Sequence, residues 1–157
     1  MKRKTSFIFA LLCAVVQGAW AWEGSGTESD PYLIKRNVDW WDLDANVRKG
    51  NNYKDQFFRL ANDLDTEGIQ VGTEDKPFCG TFDGDGHTLT FDMGVIGNGM
   101  EEWINYVDDY CAPFVRLDGA TIRHLKVEGR VFSKKKFAAG IVSFIDGDEP
   151  TTSMTAM

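Results

Sequence analysis

The clearest periodic pattern in the chain lies between residues 39 and 50. Trp40, Leu43 and Val47 follow one another at helical spacing, which places three apolar side chains on one face. Asp39 is the expected cap at the start of this helix, and Gly50 is the expected end. The pattern therefore predicts one short helix near the N-terminal end of the folded chain.

Short apolar runs separated by polar corners occupy most of the remaining chain. Gly and Asp residues mark the corners, and runs of this length predict short strands. The predicted strands cover residues 32–34, 56–60, 78–82, 88–93, 113–115, 121–122, 125–127, 131–132 and 140–142. Because short strands with such corners suit stacked coils better than hairpins, the expected fold class is all-β: a parallel β-helix (solenoid) with one short N-terminal helix.

An internal repeat supports this expectation. Residues 85–89, Asp-Gly-His-Thr-Leu, recur as residues 118–122, Asp-Gly-Ala-Thr-Ile, and each copy continues into a further apolar pair. The offset of the two copies exceeds a coil of about 20–25 residues. The mixed segment 94–111 between them is therefore interpreted as a loop insertion.

The first 21 residues have the three parts of a secretory signal peptide. A basic head at residues 2–4 precedes an apolar run over residues 7–16, and Ala19-Trp20-Ala21 has the small-x-small form of a cleavage site. The apolar run is too short to cross a hydrocarbon core of about 30 Å, so no integral membrane span is expected after cleavage. The expected location is secreted or cell-surface, outside the cytoplasm of a bacterium.

Charge narrows the possible partners. The 157 residues include 17 Lys and Arg against 24 Asp and Glu, for a net charge of -7. Cleavage after Ala21 removes three basic residues and no acidic ones, which changes the net charge to about −10. Such an acidic chain is not expected to bind nucleic acid, because that binding depends on basic groups that neutralise phosphates.

Cleavage also removes Cys13 and leaves Cys79 and Cys111. Outside the cytoplasm, an even pair of cysteines predicts a disulfide, here between Cys79 and Cys111. The rival is a zinc site that combines both cysteines with His87 and His124. These residues lack the short paired spacing of structural zinc sites, so no metal and no other cofactor is expected.

Three segments of the chain resemble secreted GLUG-motif proteins of the Bacteroidetes type. They are residues 24–34, 78–89 and 112–129, and the run from Gly80 to Leu89 matches without a gap. The family's Gly-Leu-hydrophobic-Gly motif is half met, since Gly140-Ile141-Val142-Ser143 has Ser in the last position. The resemblance covers nearly all of the mature chain. It implies a right-handed parallel β-helix with an adhesin-like role, and no catalytic residues.

The expected organisation follows from these segments. Residues 1–21 form the signal peptide, residues 22–60 a strand-helix-strand cap, residues 61–146 the β-helix coils, and residues 147–157 an irregular tail. No amphipathic helix closes the predicted solenoid. Further β-helix coils missing from this chain are therefore expected.

Aromatic side chains beside carboxylates are the strongest candidates for a binding site. Trp41 lies about 100° around the helix from Trp40, which directs it away from the core. Trp103 and Tyr106 lie among acidic residues in the insertion. Flat rings can stack on sugar faces while acids bind hydroxyl groups, so Trp41, Trp103 and Tyr106 are the predicted ligand-binding residues, with a glycan or host-surface molecule as ligand. The alternative is that these rings pack under the loop or at the end of the coil.

The candidate catalytic groups have simpler interpretations. Asp83 and Asp85 form a close carboxylate pair, but their Gly-rich setting predicts a turn in which the side chains accept backbone N–H groups. His87 and His124 lack a nucleophile in a recognisable motif. The expected function is therefore a non-enzymatic surface module for adhesion or glycan contact. The alternative is a polysaccharide-active enzyme, a lyase or hydrolase, on the same scaffold.

Overall fold

The structure is a computed structural model that describes residues 22–93, 109–131, 137–146 and 153–156. Within these ranges there is one helix, α1 (Asn37–Arg48), which lies between the first two strands. The strands are β1 (Tyr32–Ile34), β2 (Phe57–Leu60), β3 (Leu64–Asp65), β4 (Thr81–Asp83), β5 (Thr88–Thr90), β6 (Tyr110–Cys111), β7 (Phe114–Asp118), β8 (Thr121–Glu128), β9 (Phe137–Ala138), β10 (Val142–Asp146) and β11 (Ser153–Ala156).

The strands pair in parallel, and β8 is the centre of the main sheet. The order of this sheet is β1-β2-β4-β8-β5-β3, and β11 also pairs with β8. Two smaller pairs, β10 with β7 and β6 with β9, complete the arrangement. The first half of β8 places Thr121 opposite Thr81 of β4, whereas its second half places Lys126 opposite Thr88 of β5. β8 therefore pairs with β4 before, and with β5 after, a bend at His124, where φ is 50°.

The expected all-β fold, a right-handed parallel β-helix, is wrong. The protein is mixed: α1 contributes Trp40, Leu43 and Val47 to the core, and the strands join a parallel sheet through β8 instead of forming clear repeated coils. Short apolar runs do not distinguish a β-helix from another parallel sheet, because the buried strands of any parallel sheet have the same composition. The parallel pairing and the short N-terminal helix were predicted correctly.

The helix begins earlier than its apolar pattern indicates. Asp39 was expected at the cap, but the helix starts at Asn37 and Asp39 lies in its first turn. The Asp39 carboxylate instead accepts the N–H groups of Lys35 and Arg36, at 3.0 and 2.9 Å. This side chain therefore satisfies backbone donors that precede the helix, which is the second half of a capping box.

Aromatic rings hold the helix against the sheet. The buried Trp40 ring meets Phe82 and Phe114 edge-on, with centroids 5.8 and 5.4 Å apart. Each buried aromatic side chain of this kind contributes about 1.5–3 kcal/mol through the hydrophobic effect. Helix α1 therefore has a fixed orientation on the sheet, which matters for the side chains on its outer face.

Two further features of the strand pairing were not predicted from the sequence. The repeat copies do not pair with each other, because Thr121 lies opposite Thr81 and not opposite Thr88. Part of the tail that was expected to be irregular forms β11, which pairs with β8. The predicted signal peptide and most of the predicted insertion lie outside the described residues.

Candidate functional site

The outer face of α1 carries an exposed tryptophan among polar groups. Trp41 is 44% exposed, whereas its neighbour Trp40 is fully buried, as the helical pattern predicted. Residues three, four and seven positions apart on a helix share one face. We call the resulting surface, formed by Asn37, Trp41, Asp44 and Arg48 of α1 together with Glu67, the Trp41 face.

Trp40 fixes the direction in which this face points. Its indole Nε1 donates to the carbonyl oxygen of Ile69 at 2.9 Å, which ties α1 to the loop after β3. The same loop carries Glu67, and the Asn37 side-chain amide donates to Glu67 Oε1 at 2.8 Å. The helix and the loop are therefore joined by one partly buried hydrogen bond and one exposed hydrogen bond.

The other end of the Trp41 face carries an ion pair. Arg48 Nε lies 2.8 Å from both carboxylate oxygens of Asp44, one helical turn away. Asp44 Oδ1 also accepts the backbone N–H of Gly72 at 3.0 Å, so the carboxylate is anchored to the next loop. An aromatic plane flanked by an amide and a guanidinium can stack on a sugar ring while the polar groups bind its hydroxyls.

A second polar cluster lies where the corner after β4 meets the bend of β8. Asp83 is 7% exposed, and its carboxylate accepts Arg123 Nε at 2.9 Å and the backbone N–H of Asp85 at 3.0 Å. His124 Nδ1 lies 3.1 Å from Asp83 Oδ1, the oxygen that also accepts the Asp85 N–H, whereas Arg123 binds Oδ2. The predicted turn, in which an aspartate side chain accepts a local backbone N–H, is therefore confirmed for Asp83.

This environment keeps Asp83 ionised. Burial acts to raise the pKa of the carboxyl, but hydrogen bonds from Asp85, His124 and Arg123 together hold that pKa below its ordinary value of 3.8. A carboxyl with a lowered pKa cannot act as a general acid at neutral pH. Asp83 therefore joins two corners of the fold in its ionised form.

Each histidine of the chain pairs with an aspartate from a neighbouring segment. His124 meets Asp83, and His87 Nδ1 lies 3.4 Å from Asp63 Oδ1. Asp63 also accepts the backbone N–H of Thr88 at 2.8 Å. Sequence reasoning missed both pairs, because the partners are 24 and 41 residues apart and no short motif connects them.

The predicted disulfide is absent from the described part of the chain. Cys79 and Cys111 are both buried, and no bond joins them. The Cys79 backbone N–H donates to Asn52, whereas the residue after Cys111 donates to the Gln70 side chain. The two cysteines therefore lie beside different segments, which explains why compartment and count alone gave the wrong pairing.

Trp103 and Tyr106 lie outside the described residues, so only Trp41 of the three predicted binding aromatics has a known environment.

Within the described ranges, no group of three or more His, Cys, Asp and Glu side chains is arranged to hold a metal ion. In the same ranges no helix is long and apolar enough to cross a bilayer.

Comparison of the chain with protein-family models, with curated proteins and with solved structures found no match. The resemblance to GLUG-motif proteins therefore stays a prediction from the sequence. Any functional interpretation depends on the residues themselves.

Proposed function

We propose that the protein is a secreted or cell-surface module that binds glycans through the Trp41 face. The observation that carries this proposal is the 44% exposure of Trp41 on a helix whose neighbouring residue, Trp40, is locked into the core. A large apolar ring in water has a free-energy cost that stacking on a sugar removes. Because the helix is already fixed, binding requires little additional ordering of the backbone.

Polar groups on both sides of the ring support a carbohydrate ligand over a purely apolar one. Asn37 and Glu67 lie at one end, and Arg48 with Asp44 lies at the other. The distance along the helix from Asn37 to Arg48 is about 16 Å at 1.5 Å per residue. A face of this length accommodates an oligosaccharide and not only a single sugar.

A glycan array followed by calorimetry on its best ligand tests the proposal. We expect Trp41→Ala to weaken binding about tenfold or more, which corresponds to about 1.4 kcal/mol. The matched control is Phe137→Ala, which removes a ring of similar exposure, 40%, from strand β9. Unchanged affinity in Trp41→Ala, or no glycan bound by the wild-type protein, would overturn the proposal.

The extracytoplasmic location is a separate part of the proposal and needs its own experiment. It is supported by the predicted signal peptide at residues 1–21. Expression of the full chain in a bacterial host, followed by N-terminal sequencing of the exported protein, should give a mature chain that begins at Trp22. A chain that stays in the cytoplasm with residues 1–21 intact contradicts this location.

A polysaccharide-active enzyme is the second candidate, and one observation favours it. Asp83 orients the imidazole of His124, whose side chain is half exposed, and oriented imidazoles commonly transfer protons. Incubation with a panel of polysaccharides, with reducing ends and unsaturated products measured, tests this candidate. Turnover that His124→Gln abolishes would favour the enzyme over the binding module.

A further inference from the structure

Glu67 lies on a tight corner at one end of the Trp41 face. It is exposed, and its backbone lies in the left-handed region with φ of 54°. The N–H of Glu67 donates to Asp65 Oδ1 at 2.8 Å, which holds this corner in place. The carboxylate is held by the side-chain amide of Asn37, one helical turn before Trp41. This hydrogen bond therefore holds a carboxylate beside the side chain that lies one helical turn before Trp41.

The charges of the Trp41 face are unevenly balanced. The charge of Asp44 is matched by Arg48, which contacts both carboxylate oxygens. The contact of Glu67 with Asn37 is to a neutral amide, which leaves the negative charge of Glu67 uncompensated by that bond. The Asn37 end of the face is consequently negative, while the Arg48 end is paired.

We infer that the preferred ligand of the Trp41 face is an amino-sugar oligosaccharide, whose ammonium group lies between the Glu67 carboxylate and the Trp41 ring. This inference rests on the proposed function. An ammonium is attracted to the face of an indole, and a nearby carboxylate strengthens its binding through a charge-assisted hydrogen bond. Uronic acids and sulfated sugars meet repulsion from the same carboxylate.

Calorimetry with two matched ligands tests the charge preference. The probes are a tetramer of β-linked 2-amino-2-deoxyglucose, at a pH where its amines are protonated, and the fully N-acetylated tetramer. We expect the wild-type protein to bind the amino form at least fivefold more tightly. Glu67→Gln should lower the affinity for the amino form more than the affinity for the N-acetylated tetramer and so remove this preference, because glutamine carries no charge but still accepts the Asn37 amide.

The control variant is Glu28→Gln, which changes the net charge by the same amount. Glu28 is exposed in the loop that precedes β1. If the preference for the amino form comes only from the overall negative charge, both variants lose it equally, and the inference is overturned. It is also overturned if Glu67→Gln keeps the full preference, or if the wild-type protein binds the N-acetylated tetramer more tightly.

Trp41→Ala separates this inference from the proposed function. If the proposed function holds, this variant loses affinity for both tetramers. Loss of both in Trp41→Ala, together with an unaltered preference in Glu67→Gln, overturns only the amino-sugar inference. Equal binding by Trp41→Ala and the wild-type protein overturns the proposed function itself. Thermal unfolding of each variant, expected to match the wild-type protein, shows that the changes in affinity are not caused by unfolding.

Discussion

Gly84 lies directly against the backbone of His124. A Cβ atom on Gly84 would be 2.5 Å from the His124 carbonyl oxygen and 2.5 Å from Leu125 Cα. The Gly84 N–H donates to the carbonyl oxygen of Arg123 at 2.8 Å. The corner after β4 is thus in direct backbone contact with the bend of β8, and the contact requires a residue without a side chain.

Gly84→Ala should therefore destabilise the protein. The added methyl group meets backbone atoms that cannot rotate away, and such overpacking typically costs about 1–3 kcal/mol. Chemical denaturation monitored by circular dichroism measures the free energy of unfolding. The control is Gly140→Ala, since no atom lies within 4 Å of a Cβ at that position. Equal stability of the two variants would contradict the close contact at Gly84.

Acid should weaken the same corner through Asp83. Its folded-state pKa lies below the ordinary value of 3.8, so its stabilising contribution is present above that value and is lost as the pH falls through the folded-state pKa. Asp83→Asn should lower the free energy of unfolding at pH 7 by about 1–3 kcal/mol and reduce the further loss below pH 4. Denaturant titrations between pH 2.5 and 7 measure both effects.

Asp85→Asn is the matched control for the acid experiment. Asp85 is exposed, and its backbone has φ of 51°, which asparagine also tolerates. This variant should follow the wild-type pH profile. The role assigned to Asp83 is wrong if Asp83→Asn loses stability in acid as steeply as the wild-type protein.

Mutation of the two adjacent tryptophans of α1 should change the free energy of unfolding by very different amounts. Trp40→Ala removes a fully buried ring that packs on Phe82 and Phe114, so a loss of about 3–5 kcal/mol is expected. Trp41→Ala removes an exposed ring and should change stability by no more than about 0.5 kcal/mol. Urea denaturation of both variants measures the difference. A large loss in Trp41→Ala would mean that this ring supports the fold.

The cysteines should react only when the protein unfolds. Burial raises the pKa of the Cys79 thiol above its ordinary value of 9.0, which lowers the fraction of reactive thiolate in the folded protein. Iodoacetamide without a reductant should therefore modify Cys79 and Cys111 slowly in the native protein and rapidly in guanidinium. Peptide mapping by mass spectrometry identifies the products. A linked peptide that contains both cysteines would restore the predicted disulfide.

The local elements of this fold could be predicted because their patterns are short. Tyr32–Ile34 was recognised as a strand, and the apolar spacing of Leu43 and its neighbours gave the helix. Strand pairing could not be predicted in the same way. The repeat aligns Thr88 with Thr121, but in the structure Thr121 lies opposite Thr81, and Gly84 lies against the backbone of His124.

The candidate site likewise combines one feature that the sequence predicts with one that it does not. The exposure of Trp41 follows from the rotation of about 100° between neighbouring residues of a helix, so it could be predicted from the sequence. The bond from Asn37 to Glu67 joins residues 30 positions apart, and its existence depends on where the loop after β3 lies against α1. Contacts of this kind follow from tertiary packing, for which a single sequence holds no short-range signal.

Parallel pairing has a consequence for how the chain folds. Phe82 of β4 lies opposite Ile122 of β8, forty residues later, and Phe58 of β2 lies opposite Tyr32 of β1, with α1 between them. Each such pair closes a long loop before it gains any stabilising contact, and high contact order slows folding to milliseconds or seconds. Until Thr121–Glu128 has left the ribosome, β4 and β5 lack the strand that joins them, so folding of the main sheet waits for β8.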